Sequence, residues 1–327
     1  MNIQQIAKTI ENSRGRLYLV GGAVRDEFLC RGGVPCPPFD EDYCVVGLSG
    51  AEFESLFPEA VTRGKSFEVY DIEHREFALA RTDIKEGPGH KGFKIITGKD
   101  ITIEEDLRRR DITINSIAKD VLTGEIIDPF GGREDIAKKL IRATDTSFLE
   151  DPLRAYRAAR IAANLEFDVH EDTIKLMNKL KPELNTLSKE RVFVEFRKSL
   201  ESKKPSIFFN VLRKAEILDV HFKEIYDLIG SEQPAQYHPE GDSYNHTMIA
   251  VDNSALLTDN LEIRFAALVH DLGKGKTPEE LYPHHHGHAE SGVQPVRDLC
   301  RRLGIPTRWR HAGVISSAEH MKRRNVL

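Results

Sequence analysis

Two short apolar runs, each broken in a chemically pointed way, limit the fold of this chain more than any other feature. Tyr18-Leu19-Val20 leads into Gly21-Gly22-Ala23-Val24-Arg25-Asp26, and Asp40-Glu41-Asp42 leads into Tyr43-Cys44-Val45-Val46. The first reads as strand, glycine turn and helix, with backbone N–H groups able to approach a phosphate closely. In the second, Asp40 and Asp42 are spaced i, i+2 and so face one side of a strand. Two hard oxygen ligands aimed at one point suit Mg²⁺, which takes a carboxylate or two plus substrate phosphates and keeps several waters. A glycine pair alone is an ordinary turn, and paired aspartates alone are solvated edge charge. Together they describe a metal-and-triphosphate geometry.

A chain of 327 residues exceeds one ordinary core, so two or more domains are expected. Hydrophobic residues make up 40% and charged residues 30%, without a run long enough to span a bilayer. The start Met1-Asn2-Ile3-Gln4-Gln5 has neither a basic nor an apolar leader region, which points to a cytoplasmic protein without a membrane partner. Cys30, Cys36, Cys44 and Cys300 lack zinc spacing, so reduced thiols are expected. A net charge of −5 argues against a general polyanion binder and leaves room for a local basic surface.

Residues 1–12 read as a helix, Leu17–Val20 as a strand, and Ala23 to Leu29 as a helix, followed by a glycine- and proline-rich loop at Arg31–Pro38. Strands are expected around Glu68–Ile72, Glu76–Ala80 and Gly92–Ile96, with a loop at Asp83–Lys91. The pattern turns helical after Ile103, is interrupted by Gly124–Gly132, and is helical from Asp135 to the end. The fold class is α+β: a nucleotide-binding α/β head with a mixed sheet over 1–140, helical segments over 141–230, and a histidine-rich helical segment over 231–327.

Two further constellations carry chemistry. In Asp106-Leu107-Arg108-Arg109-Arg110-Asp111-Ile112-Thr113-Ile114-Asn115, three arginines on a helix splay around it, so that Arg109 or Arg110 can meet phosphate or sugar while Asp111 fixes a guanidinium or ribose. In Glu150-Asp151-Pro152-Leu153-Arg154-Ala155-Tyr156-Arg157, Pro152 suits the first helical position and Asp151 the N-cap. Arg154 lies three residues from both Asp151 and Arg157, so an acceptor stands beside donors on one side of a helix start. Cytosine and adenine each show an amino donor beside a ring acceptor and match that edge. Uracil and guanine show the reverse order, and two mismatched polar positions at about 1–3 kcal/mol each give strong rejection.

At these residues the chain resembles bacterial tRNA nucleotidyltransferases, the CCA-adding enzymes, in the class that also includes bacterial poly(A) polymerases. The resemblance runs in order through Gly21–Asp26, Asp40–Asp42, Arg109–Asp111, Asp128-Pro129-Phe130-Gly131-Gly132, Glu150–Arg154 and Glu190-Arg191-Val192. It implies that Asp40 and Asp42 hold Mg²⁺ and are the catalytic residues, and that Gly21, Gly22 and Arg25 meet the triphosphate. It also implies that Arg109 or Arg110 contacts the nucleotide, that Asp111 and Asn115 lie near the ribose, and that Asp151 and Arg154 read the base with Arg157 completing the pocket. The segment from Arg81 to Phe93, with Gly87, Gly89 and Gly92, resembles the family's flexible element.

His246, His270-Asp271 and His284-His285-His286-Gly287-His288 make a second candidate metal site, and His270-Asp271-Leu272-Gly273-Lys274 resembles the HD phosphohydrolase superfamily. Imidazole and carboxylate ligands suit a transition metal. One bacterial group of CCA-adding enzymes carries such a domain, with 2′,3′-cyclic phosphodiesterase, 2′-nucleotidase and phosphatase activities. Its pattern closes with a later aspartate, whereas here Met321 follows His320 and no aspartate follows Asp298, so a C-terminally shortened HD-like domain is expected. Eight basic residues against Asp298 and Glu319 in the last thirty-one make a local basic region suited to tRNA phosphates.

The expected function is template-independent building and repair of the tRNA 3′ CCA end from CTP and ATP. The alternatives are a poly(A) polymerase or an enzyme adding only CC or only A, and, in another class, an HD-type phosphohydrolase whose head only binds nucleotide.

Overall fold

The structure, a computed structural model, describes residues 1–30, 41–63, 69–85 and 93–322, with the backbone alone at 83–85 and 93–95. Asp40, the loop at 31–38 and the glycines at 87, 89 and 92 lie outside the described residues. The chain forms two compact units, Met1–Asp151 and Pro152–Leu327.

In the first unit the helices are α1 (Ile3–Asn12), α2 (Gly22–Cys30), α3 (Gly50–Leu56), α4 (Ile103–Arg108) and α5 (Gly132–Ala137). The strands are β1 (Arg16–Val20), β2 (Asp42–Val46), β3 (Val61–Arg63), β4 (Val69–Ile72), β5 (Arg75–Leu79), β6 (Arg81–Lys85), β7 (Phe93–Thr97), β8 (Ala118–Asp120) and β9 (Ile126–Ile127). Seven of them build one mixed sheet in the order β3-β4-β5-β2-β1-β8-β9. At its centre β2 runs antiparallel to β1 and parallel to β5. Side chains alternate between the two faces of a strand, so β2 sends Tyr43 and Val45 into one core and Cys44 into another. Tyr43 and Val45 join Phe77, Leu79, Phe53 of α3 and Ile6 and Ile10 of α1. Cys44 joins Tyr18, Val20, Ala80 and Ile103 and Leu107 of α4. Asp42 shares the Cys44 face, at the strand's exposed start.

Capping boxes start three of these helices: Asn2 with Gln5, Ser49 with Glu52, and Thr102 with Glu105. Two expectations change here. Arg81–Lys85 is a strand, paired antiparallel with Phe93–Thr97, where a loop from Asp83 was expected. Cys30 is disulfide-bonded rather than reduced, while Cys44 and Cys300 are free and buried.

The division between units falls after 151 because the 141–147 stretch stays bonded to the head. Thr113 N donates to Arg142 O, Ser116 Oγ meets Thr144 Oγ1 at 2.9 Å, and Ser147 Oγ donates to Arg108 O. The second unit is helical, and one aromatic core runs through it. Tyr156, Phe196, Phe208, Phe209, Phe222 and Phe265 are fully buried and pack against one another in a chain of tilted and edge-on rings that continues to Trp309. Residues from 231 onward do not separate from this body. Arg302 donates to both oxygens of Glu224, and Ser243 N donates to Ser231 O. No described helix is long and apolar enough to cross a membrane.

Candidate active sites

The head site begins at the end of β1. Gly21 has φ +74°, a left-handed conformation that L side chains rarely adopt, and a Cβ there would lie 3.2 Å from Arg110 Nη1 and 4.0 Å from Asp42 Oδ2. Glycine thus lets the turn sit directly against an arginine and a carboxylate. Register does the rest: Val20 pairs with Asp42, and Asp42 pairs with Glu76 on β5. Glu76, Asp42, Arg81, Asp106, Arg109 and Arg110 line one cleft of about 170 Å³. The carboxylate donors present, Asp42 and Glu76, are hard oxygen ligands and fit Mg²⁺.

The three arginines do not share a helix. Arg108 ends α4 and Arg109 is its C-cap, because both following guanidiniums fold back onto Asp106. Asp106 is 1% exposed and accepts from Arg109 Nη2 at 2.8 Å and Arg110 Nη2 at 3.1 Å. Burial alone would raise its carboxyl, but Arg110 and then Arg109 outweigh burial and hold it below the ordinary range. Burial would likewise lower Arg110, and Asp106, with a smaller contribution from Asp42, raises it instead.

Beside this cleft the second glycine opens a second cluster. Gly22 begins α2, and its missing Cβ would stand 3.4 Å from Arg25 Nη2. Arg25 Nη1 donates to Asn115 Oδ1 at 2.8 Å while its Nε and Nη2 grip Asp26. Asn115 Nδ2 in turn donates to Asp111 Oδ1, and both residues are buried. Gly21, Asp42 and Arg110 therefore converge, as do Gly22, Arg25, Asn115 and Asp111, with Arg109 beside Arg110. Glu76 was not singled out in the sequence. Its signal is the strand Arg75–Leu79, which carries a carboxylate at its second residue as β2 carries one at its first.

Asp151 is extended (φ −123°, ψ 114°) and ends the Thr146–Glu150 turn, while Pro152 (φ −60°, ψ −21°) takes the N-cap of a helix that starts at Leu153, one residue later than expected. Asp151 closes the first unit. In the helix Leu153–Leu165 of the second unit, Arg154, Arg157 and Arg160 form the half-buried stripe while the residues between them are buried.

The second unit gathers the histidines. Asp271 is 2% exposed at the end of the Leu261–Val269 helix, and four imidazoles turn Nε2 toward it. His270 and His246 stand 3.2 and 3.7 Å from Oδ2, and His320 and His288 stand 3.2 and 3.4 Å from Oδ1. Each ring has its Nδ1 engaged. That nitrogen meets Ala267 O at 2.7 Å in His270, His285 O at 2.6 Å in His288, Ser317 O at 2.9 Å in His320, and Glu240 Oε1 at 2.6 Å in His246. A carbonyl or carboxylate can only accept, so Nδ1 carries the proton and Nε2 in the neutral ring offers a lone pair. Four lone pairs facing one carboxylate call for a cation between them. Lys274 Nζ reaches only Oδ2, at 2.7 Å, and Oδ1 is buried without a hydrogen bond among the described residues. This donor set fits a transition metal.

Burial would raise the Asp271 carboxyl, but His270, His288 and His320 hold it well below the usual carboxylate range. Burial lowers His246, whereas Asp271 raises His320 against its burial. Gly273 makes the close packing possible, because a Cβ there would lie 1.9 Å from His288 O. Of the histidines named in the sequence, His246, His270 and His288 reach the cluster. His285 does not: it bonds Thr277 Oγ1 and Glu232 O instead. His320, where the sequence marked only a departure from pattern, supplies the fourth ring. The basic region near the end is partly consumed internally, since Arg301, Arg302, Arg308 and Lys322 pair with Asp298, Glu224, Glu262 and Glu319.

Residues 17–142 match the family model of the poly A polymerase head domain, 166–228 that of the probable RNA and SrmB-binding site of polymerase A, and 243–326 that of the HD domain. A polymerase-type head and an HD domain on one chain define the class: a nucleotidyltransferase with a phosphohydrolase-type partner, both metal-dependent families. The multifunctional CCA proteins of Shewanella denitrificans and Shewanella frigidimarina are each 43% identical over 318 residues, covering 95% of this chain and 75% of theirs. The chain belongs to the family of multifunctional CCA proteins. Its fold is that of the CCA-adding enzymes: an apo form gives a TM-score of 0.64 at 19% identity, covering 99% of this chain and 81% of that one. The Thermotoga maritima enzyme complexed with tRNA gives 0.62 at 19%, covering 99% and 80%.

Proposed function

We propose that this chain builds and repairs the 3′-terminal CCA of tRNA, taking CTP and ATP without a template and releasing pyrophosphate. The observation that carries the reading is the convergence of Asp42, in register with Glu76, on Gly21 and Arg110. The RNA 3′ hydroxyl oxygen bonds to the α-phosphorus, the bond to the β-phosphate bridge breaks, and the hydroxyl proton is lost to solvent. Asp40 and Asp42, with Glu76 paired to Asp42, are the residues that would hold Mg²⁺, which would supply charge neutralisation at the leaving pyrophosphate and a lower hydroxyl pKa. Gly21, Gly22 and Arg25 bind the triphosphate, and Arg109 and Arg110 add positive charge to the nucleotide site. Asp111 and Asn115 set the ribose. Asp151 as acceptor and Arg154 and Arg157 as donors select C and A over U and G. The three segments 1–140, 141–230 and 231–327 then serve as catalytic head, base-reading and tRNA-contacting neck and body, and hydrolase. Substrates of this kind place the work in the cytoplasm.

Incubation with tRNA lacking CCA, labelled CTP and ATP, and Mg²⁺ tests the reading by product length. Growth by three nucleotides supports it, and no incorporation overturns it. A long A tract identifies a poly(A) polymerase instead, and growth by CC or A alone a partial adder.

A second activity is favoured by the four imidazoles around Asp271. His246, His270 and Asp271, joined by His288 and His320, would hold a transition metal that activates water toward a phosphate ester. Release of inorganic phosphate or opening of a 2′,3′-cyclic phosphate, abolished by chelation, tests it.

A further inference from the structure

Three of the four rings facing Asp271 are oriented by main-chain carbonyls, which the fold sets. His246 alone relies on a side chain, and that side chain is charged. Glu240 Oε1 lies 2.6 Å from His246 Nδ1, with the opposite edge of the same ring 3.7 Å from Asp271 Oδ2. His238 Nδ1 meets the same Oε1 at 3.0 Å, and its ring stands edge-on to His246 at 4.8 Å and 87°. The carboxylate is thus clamped between two imidazoles.

The loop that delivers it is also built. Gly241 takes φ +99°, Asn245 Nδ2 donates to Glu240 O, and Asp242 caps the Ser243–Leu257 helix through Asn245 N while accepting from Gly230 N. The cap that starts the helix bearing His246 therefore also places Glu240 against that histidine.

We propose that Glu240 is the positioning residue of this metal centre: it accepts the Nδ1 proton of His246, fixes the ring, and presents Nε2 as a ligand beside His270 and Asp271. The proposal rests on the reading of the second unit as a metal site. A carboxylate behind a ligating imidazole raises its basicity as well as its order, and losing such a partner lowers metal affinity about 10- to 100-fold. Among the four rings His246 gains most from this, since an anion polarises the imidazole more strongly than a carbonyl does.

Co²⁺ binding to the full chain, read by visible d–d absorption, tests the role. Wild type should bind, and His270→Ala should lose the imidazole-ligated spectrum. Glu240→Ala should weaken Co²⁺ affinity about 10- to 100-fold. Glu240→Gln, whose amide oxygen still accepts from Nδ1 but without the charge, should recover part of that loss, with the unfolding midpoint of the metal-free protein unchanged in both. Nitrogen-15 shifts should place the His246 lone pair on Nε2 in wild type and on a mixture of both nitrogens in Glu240→Ala. Wild-type affinity in Glu240→Ala overturns the positioning role alone. So does an equal loss in both Glu240 variants with Co²⁺ binding retained in His270→Ala, which would make Glu240 a direct ligand on the Nδ1 side. A wild-type chain that binds no Co²⁺ overturns the metal-centre reading and the positioning role together.

Discussion

The two candidate centres solve opposite problems. In the head, Asp42 and Glu76 are exposed carboxylates at strand starts, beside arginines whose charge Asp106 already compensates. In the second unit the carboxylate is buried and every ring facing it has its second nitrogen committed. An oxygen site that must admit a triphosphate and an RNA end is left open. The nitrogen-rich cluster, by contrast, has its rings oriented before any ion arrives.

The largest effects should separate the two centres cleanly. Asp42→Ala should lower CMP and AMP incorporation about 10³-fold, equal to about 4 kcal/mol of barrier, with phosphate-ester hydrolysis retained. Asp271→Ala should do the reverse, and loss of both activities in either variant would break the distinction. Asp106→Ala probes how the head supports its cleft. Removing a buried acid shared by two arginines should cost about 3 kcal/mol of stability in urea unfolding and raise KM for both nucleotides through Arg110. An unchanged midpoint would sink the compensation argument.

His221 offers a matching probe of the second unit's core, away from the histidine cluster. Tyr156 OH meets its Nδ1 at 2.7 Å, and burial, then Arg302, lowers its pKa from 6.5 to about 4. The unfolded chain therefore binds more protons between those values, so stability is fully present above pH 6.5 and is lost as pH falls toward 4. At about 1.4 kcal/mol per unit the loss approaches about 3 kcal/mol. Denaturant unfolding at pH 7 and pH 4.5 should show this acid limb, and His221→Gln should flatten it. The mildest change is in selectivity. Asp151→Ala or Arg154→Ala should raise UTP and GTP misincorporation about tenfold, within the 1–3 kcal/mol of one mismatched polar group. If both variants still exclude UTP and GTP, the base-reading edge lies elsewhere.

Much of this was legible in the chain because it is local. The turn at Gly21-Gly22, the extended Asp151 before a helical Pro152, and the adjacent His270-Asp271 all express rules that span a few residues. Glu76 was hidden because it reaches Asp42 only through a parallel pairing across thirty-odd intervening residues, which no short window contains. The arginine run misled because helical spacing said nothing of Asp106, whose buried carboxylate bends Arg109 and Arg110 back past the helix end. Glu240 was silent for a similar reason: a glutamate before a helix cap looks like solvated charge until His246 is seen against it. His320 was passed over because Met321, not aspartate, follows it, yet the ring alone completes the cluster.

The alternation along β2 ties folding and chemistry to a single parity. Moving that strand by one position against its two neighbours would carry Asp42 to the side where Tyr43 now packs on Phe77, and would swing Tyr43 toward the cleft lined by Arg109 and Arg110. Insertions of odd length inside the strand are therefore doubly punished, losing an apolar interior and the carboxylate beside Gly21 and Arg110 at one stroke. Even-length changes keep parity and so spare both.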